Sequence, residues 1–380
     1  MGIQDIGDNV RRHMKIQGLT IPRLSEKIGM GTAALSNLLN GKAEPRSSTL
    51  IKLAEGLDVP FDEILADAPR LNSVRFRTAK ALSGREKAER DQIRHDTAIW
   101  LSHYCFLEKE LKAARLYLLD KITDGDPRSA AMAARDVFKL NPADPVYDIS
   151  ELMEQAGIKL RIRPFGFKKT FGLSIGDEDG GPGIVVNSEE GISVERQLFT
   201  IAHELGHLIL HKASYKDPEE VENEGEEYEA DLFAGTFLVS AEALEKEWNE
   251  SKGLVFVDRV LKIKKIFKVS YKTLLIRLVQ LDSSLSLKPL IIRFSQEYKA
   301  KYHHDLKDYY EPNSLIPDES NPVATYDPQE LDFSDLMEDR FARLVRDAYE
   351  KEIISMSRAG EMLNLSIIEM RTLIRAWQAL

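Results

Sequence analysis

His203-Glu204-Leu205-Gly206-His207 places two imidazoles four residues apart with a carboxylate directly after the first. Residues four apart on an α-helix share a face, so both rings can converge on one ion. Neutral imidazole suits zinc, and Glu204 then projects beside the metal, where a bound water would sit. The chemistry on offer is hydrolysis: the metal acidifies the water and Glu204 takes its proton as general base. H-E-x-x-H by itself also arises by chance in helical proteins, so a third donor must be found. The extended pattern H-E-x-x-H-x-x-G-x-x-H would need Gly and His at positions held by Leu210 and Ala213. The acidic stretch about twenty residues on offers Glu227-Tyr-Glu-Ala-Asp231 instead. Glu227 can ligate while Asp231, one helical turn later, accepts a hydrogen bond from a ligating histidine and sets its tautomer. Glu224 and Glu226 remain alternative ligands, although neither is followed four residues later by a carboxylate. His211 is explained as well by a hydrogen bond or a polar helix end as by ligation. Tyr215 and Tyr228 could stabilise an oxyanion, but core or surface tyrosine is the simpler reading.

These side chains need rigid elements behind them. Leu198–Leu210 is apolar around the motif, and a helix is expected from about Ser193 to His211. Gly206 in its middle costs about 1 kcal/mol relative to alanine, which makes sense where another element must come close. A second helix is expected over 222–238. Strands are expected at Leu160–Pro164, Thr170–Ile175 and Gly183–Asn187, after a loop at Asn141–Pro145 and a helix at Ile149–Ala156. Residues 85–140 read as helical, and more helices follow to about 282. Tyr309–Glu338, rich in Pro, Asp and Asn, reads as a long loop, and the last forty residues return to helical periodicity.

Residues 3–66 read as short helices with turns at Gly18, Gly29-Met-Gly31 and Gly41–Pro45. Two of them joined by a short glycine turn make a helix-turn-helix. Its second helix carries Thr32, Ser36, Asn37 and Asn40 as candidate base readers, with Lys42 and Arg46 for phosphates. Residues 1–66 hold eight basic and eight acidic side chains, a weak electrostatic footing for DNA unless the protein dimerises. A helical module for dimerisation or partner docking is the rival reading. Residues 67–84, with the basic Arg75-Phe-Arg77, read as a linker.

The expected fold class is mainly α with a small β-sheet (α+β): an all-α helix-turn-helix domain, a gluzincin-like metallopeptidase domain and a helical C-terminal region. The expected boundaries are 1–68, a helical linker region over 69–130, the metallopeptidase domain over 131–283, and a sensor, lid or partner-binding region over 284–380. The chain has 380 residues, 43% hydrophobic and 30% charged, with net charge −10. That charge argues against broad non-specific nucleic-acid binding. No apolar stretch approaches the ~20 residues of a membrane span. The single Cys105 forbids an intrachain disulfide, in keeping with a cytoplasmic protein.

The order Asn141-Pro-Ala-Asp-Pro145, Gly172-Leu-Ser174, Ile184-Val-Val-Asn187, Arg196–His207 and Glu227–Ala234 resembles the ImmA/IrrE family of zinc metallo-endopeptidases. The resemblance covers roughly 130–280, and by it the third ligand falls on Glu227. It departs at Val239-Ser240, where relatives often have Met-Pro. The N-terminus resembles an XRE-type (Cro/CI-like) domain in its apolar skeleton, including Leu24, Ile28, Leu35, Leu38, Leu50 and Leu53, and departs at Ile21, where relatives often carry a glutamine. Together these imply a DNA-binding zinc endopeptidase. It would cleave a helix-turn-helix repressor, or an antitoxin or toxin partner, and derepress stress, mobile-element or phage-defence genes. Double-stranded DNA as ligand, single-stranded DNA as activator and a homodimer go with that reading. The alternative is a repressor or antitoxin that uses the peptidase-like fold for binding without proteolysis.

Overall fold

The computed structural model describes residues 3–65, 71–78, 84–122, 125–216, 223–303, 305, 306, 311 and 340–378. In chain order the helices are α1 Ile3–Ile16, α2 Ile21–Ile28, α3 Thr32–Leu39, α4 Ser47–Leu57, α5 Phe61–Leu65, α6 Gly84–Glu110, α7 Pro127–Val137, α8 Ile149–Gln155 and α9 Val194–Leu210. They continue with α10 Glu224–Leu238, α11 Ala241–Glu250, α12 Phe256–Phe267, α13 Tyr271–Leu281, α14 Leu287–Tyr302, α15 Arg340–Glu350, α16 Met356–Leu363 and α17 Ile367–Gln378. The strands are β1 Val74–Thr78, β2 Lys159–Arg163, β3 Thr170–Ile175 and β4 Gly183–Asn187. The fold is mainly α with one small sheet. The long loop expected over Tyr309–Glu338 lies, Glu311 apart, outside the described residues. Among the described residues no helix is long and apolar enough to cross a membrane.

By internal contact the chain divides into two units: residues 1–70, 98–113 and 341–380 form one, and 71–97 with 114–340 the other. In the first, α1–α5 enclose their own core of Val10, Leu24, Leu35, Leu53, Leu57 and Ile64. These positions recur at helical spacing and face inward, as an amphipathic helix requires. The same unit holds an aromatic cluster in which Trp100 and Tyr104 of α6 meet Phe341 of α15, with ring centroids 6.1 and 5.3 Å apart.

The second unit is built around the sheet, in the order β1-β3-β4-β2. β1 and β4 run antiparallel to β3, and β2 runs parallel to β4. The linker expected over 67–84 is therefore corrected in part, because Val74–Thr78 pairs with β3, Arg75 opposite Ser174. Its alternation of apolar and basic residues, Val74-Arg-Phe-Arg-Thr78, is itself a strand pattern, but five residues between turn-rich flanks are easily passed over. Its partner lies about a hundred residues downstream, and its start is fixed by Asp179, whose Oδ2 accepts from Asn72 N and Ser73 N at 2.6 and 2.5 Å. Every residue of β3 and β4 is buried, which fits near-continuous apolar strands covered on both faces.

α9 starts at Ser193, whose hydroxyl accepts from Arg196 N, as a helix cap should. It packs on β3 and β4 and, most extensively, on α10. Leu198, Ile201, Leu205, Leu208 and Ile209 join Phe233 and Phe237 of α10 in the main core, together with residues of α7, α8, α12, α13 and α14. Arg135 is buried and ties the Asn141–Pro145 loop down, donating to the carbonyls of Asn141, Asp144 and Phe237 at 3.0, 2.6 and 2.7 Å. At the Val239-Ser240 departure, Ser240 caps α11 and donates to Pro142 O, so the helix end is closed without a proline.

Candidate metal centre

The site is assembled where α10 crosses α9. A Cβ at Gly206 would lie 3.1 Å from Phe233 Cδ1 and 3.3 Å from Ala230 Cα. The missing side chain is what lets α10 come this close, and the crossing carries the first turns of α10 over the two histidines. Gly172 of β3 has a matching role. A Cβ there would stand 2.6 Å from Thr200 Cγ2 and 3.5 Å from Glu204 Oε1.

His203, Glu204 and His207 are 1%, 0% and 2% exposed. His203 Nε2 lies 3.0 Å from His207 Nε2, and the Glu227 carboxylate is 3.2 Å from each of them. Four-coordinate zinc with bonds near 2.0–2.1 Å separates its ligand atoms by about 3.3 Å, so this triangle has the size of one face of that tetrahedron. Protonation agrees. Burial pushes His207 down to about 3, keeping it neutral. Burial acts to raise Glu227, but hydrogen bonding to His203 and His207 outweighs it and holds the carboxyl well below its usual range. Two imidazole nitrogens and a carboxylate oxygen are donors that zinc takes. The residues fit the metal.

Around them, His203 Nδ1 meets Asp231 Oδ1 at 2.7 Å, the contact that leaves Nε2 of a neutral ring as lone pair. Glu204 Oε2 accepts from Ser174 Oγ at 2.5 Å, and Ser174 Oγ accepts from Tyr215 OH at 2.7 Å. Tyr215 is buried, with its phenol raised well above the ordinary value by that burial, so it serves as a hydrogen-bond donor to Ser174. Tyr228 is 66% exposed. Of the alternative ligands, Glu226 pairs with Arg75 at 2.5 Å and accepts from Ser214 at 2.7 Å. Glu224 is exposed at the helix start. Arg75, Ser174 and Ser214 are the site residues that sequence reasoning missed. Arg75 also lies 3.9 Å from Glu227. The only sequence signal for it was a basic pair flanking Phe76.

A family model described as IrrE N-terminal-like domain matches residues 153–279, and one described as Helix-turn-helix matches residues 10–64. The chain joins an IrrE N-terminal-like domain to a helix-turn-helix domain. No curated protein matches the chain as a whole or in part. Among solved structures, Bacillus thuringiensis PlcR in complex with the peptide PapR7 and DNA is similar at 13% identity, covering 79% of this chain and 96% of that one. Its TM-score of 0.16 is too low to bear on fold or function.

The IrrE N-terminal-like domain is of metallopeptidase type, and its match spans His203, His207, Glu227 and Asp231. Among the described residues a second group, His207, His211 and Glu226, also comes within ligating range, but Glu226 is held by Arg75 and Ser214. In the helix-turn-helix domain, α3 presents Thr32 and Asn37 to solvent with Ser36 half-buried, Asn40 is exposed at its C-terminal cap, and Lys42 and Arg46 are exposed beyond it. Asn40 accepts from Arg11 of α1 and lies 3.5 Å from Ser36 Oγ, so that end of α3 is braced.

Proposed function

We propose that this protein is a zinc-dependent endopeptidase that its helix-turn-helix domain brings to DNA, and that it cleaves a specific regulatory protein. The observation that carries the reading is the convergence of His203 Nε2, His207 Nε2 and the Glu227 carboxylate, 3.0–3.2 Å apart, beside the buried Glu204. A fold kept for binding alone needs no such donor set and no base next to it. His203, His207 and Glu227 would hold zinc, with Asp231 orienting His203. Bound there, zinc acidifies a water and polarises the peptide carbonyl. Glu204 takes the water's proton and delivers it to the leaving nitrogen, with Ser174 holding its carboxylate in one orientation. Residues 1–68 would contact DNA through Thr32, Ser36, Asn37, Asn40, Lys42 and Arg46; residues 131–283 would carry the chemistry, and 284–380 would sense, cover or dock. The favoured substrate is a helix-turn-helix repressor, or an antitoxin or toxin partner. Single-stranded DNA is the activator to try first, and a homodimer would strengthen the DNA contact.

The test is intact-mass spectrometry of the helix-turn-helix or toxin-like protein encoded beside this one. It is incubated with zinc-loaded wild type or Glu204→Gln, with and without single-stranded DNA. A discrete cut by wild type, slowed at least about 100-fold in Glu204→Gln at equal zinc content, is expected of a lost general base. Equal behaviour of the two, with zinc bound, would point to the repressor or antitoxin that binds without cutting.

A further inference from the structure

His207 can present Nε2 to a metal only as the tautomer that carries its hydrogen on Nδ1. His203 has its tautomer set in one step by Asp231. Among the described residues, His207 Nδ1 meets a second imidazole where His203 Nδ1 meets a carboxylate: it lies 2.9 Å from His211 Nδ1. Two ring nitrogens this close share one hydrogen, one donating and the other accepting. The ambiguity is resolved at the far end of His211, where Nε2 lies 2.9 Å from Glu229 Oε2. A carboxylate oxygen accepts, so the contact gives His211 Nε2 the donor's place and leaves His211 Nδ1 to accept from His207 Nδ1.

We propose that His211 and Glu229 are positioning residues, with Glu229 acting through His211 to hold His207 in the tautomer that turns Nε2 toward His203 and Glu227. The inference rests on the reading of those three residues as a metal-binding group and adds the pair that orders one ligand. Both links sit on the elements that form the centre. His211 caps the end of α9 and is buried, and Glu229 follows Glu227 by two residues on α10. The crossing of the two helices thus supplies a third ligand, a direct partner for His203 and a relayed partner for His207. Partners of this kind change metal affinity by about 10–100-fold when removed.

The test compares Glu229→Gln and Glu229→Met with wild type in the full chain. The amide of Gln can donate to His211 Nε2 as well as accept from it, and Met can do neither, so neither replaces an oxygen that only accepts. Nitrogen NMR of the metal-free protein, labelled in its histidines, reads the His207 tautomer directly, and chelator competition reads zinc affinity. Wild type is expected to show His207 with hydrogen on Nδ1. Both variants should show a mixture of tautomers and bind zinc about 10-fold more weakly than wild type. An unchanged His207 tautomer in either variant overturns the relay, whatever happens to zinc affinity. A wild type that binds no zinc defeats the metal reading instead, and the nitrogen spectrum still decides the relay.

Discussion

The centre depends on two residues that have no side chain. A Cβ on Gly172 would meet Thr200 Cγ2 at 2.6 Å and the Val185 carbonyl oxygen at 3.1 Å, and backbone cannot yield as a flexible side chain can. Gly172→Ala is therefore expected to lower stability by about 1–3 kcal/mol through overpacking and to displace Glu204, so that cleavage falls further than stability alone explains. Denaturant unfolding beside the intact-mass assay checks this; an unchanged unfolding midpoint would contradict the close packing. His203, Glu204 and His207 were legible because helical spacing dictates that they share a face. Glu227 was legible less directly, through its partner Asp231 one turn on. The roles of Ser174, Tyr215 and Glu229 were not, because each acts through a neighbour on another element, and a single sequence says nothing of which elements meet.

Among the elements, α9 and α10 could be read from the apolar spacing around the motif and the acidic run, whereas β1 could not. Its five residues alternate apolar and basic, a strand pattern, but the run is too short and too isolated from its distant partner β3 to stand out from the turn-rich stretch around it. What β1 contributes is a guanidinium: Arg75 lies 3.9 Å from Glu227 and pairs with Glu226. A cation so near a cation-binding site opposes it. Arg75→Ala is expected to tighten zinc several-fold, on the order of 1 kcal/mol after solvent screening; looser binding in chelator competition would show that its brace on Glu226 matters more than its charge. The helix-turn-helix elements were plain from sequence because short amphipathic helices between glycine turns have few alternatives. For α3 and the turn after it, replacing Lys42 or Arg46 with alanine should weaken DNA binding about equally across sequences and reduce the salt slope by about 1 each. A slope that stays constant would move the DNA contact elsewhere.

At the scale of the molecule, Glu311 packs against the peptidase-type unit. Lys264 of α12 lies between two carboxylates, 3.0 Å from Glu195 at the start of α9 and 3.1 Å from Glu311, which also accepts from Tyr271 N at 2.9 Å. One buried cation cannot balance both acids. Burial above all, with Glu195 adding to it and Lys264 opposing, pushes Glu311 up to about 7. A carboxyl raised in the folded state stabilises most below its unfolded value and loses that contribution as pH rises through about 7. The melting temperature of wild type relative to Glu311→Gln should therefore fall by a few degrees between pH 5 and pH 8. A difference independent of pH would mean that Glu311 is already ionised at pH 5. No pattern in the sequence marks this position, since the three partners come from separate parts of the chain.

The aromatic cluster of Trp100, Tyr104 and Phe341 also bears on how the molecule is made. A ribosome delivers α6 early and α15 only after the whole peptidase-type unit has emerged. Until then the second half of α6 waits without the ring of Phe341, while His203, His207 and Glu227 are already on the outside of the exit tunnel. The distance along the chain adds little to the equilibrium, since each doubling of a loop costs only about 0.6 kcal/mol, but it fixes an order in time. The nascent protein can bring His203, His207 and Glu227 together before Phe341 completes the cluster with Trp100 and Tyr104, so a chain stopped short of Phe341 lacks one apolar wall of that cluster, the kind of defect chaperones and proteases detect.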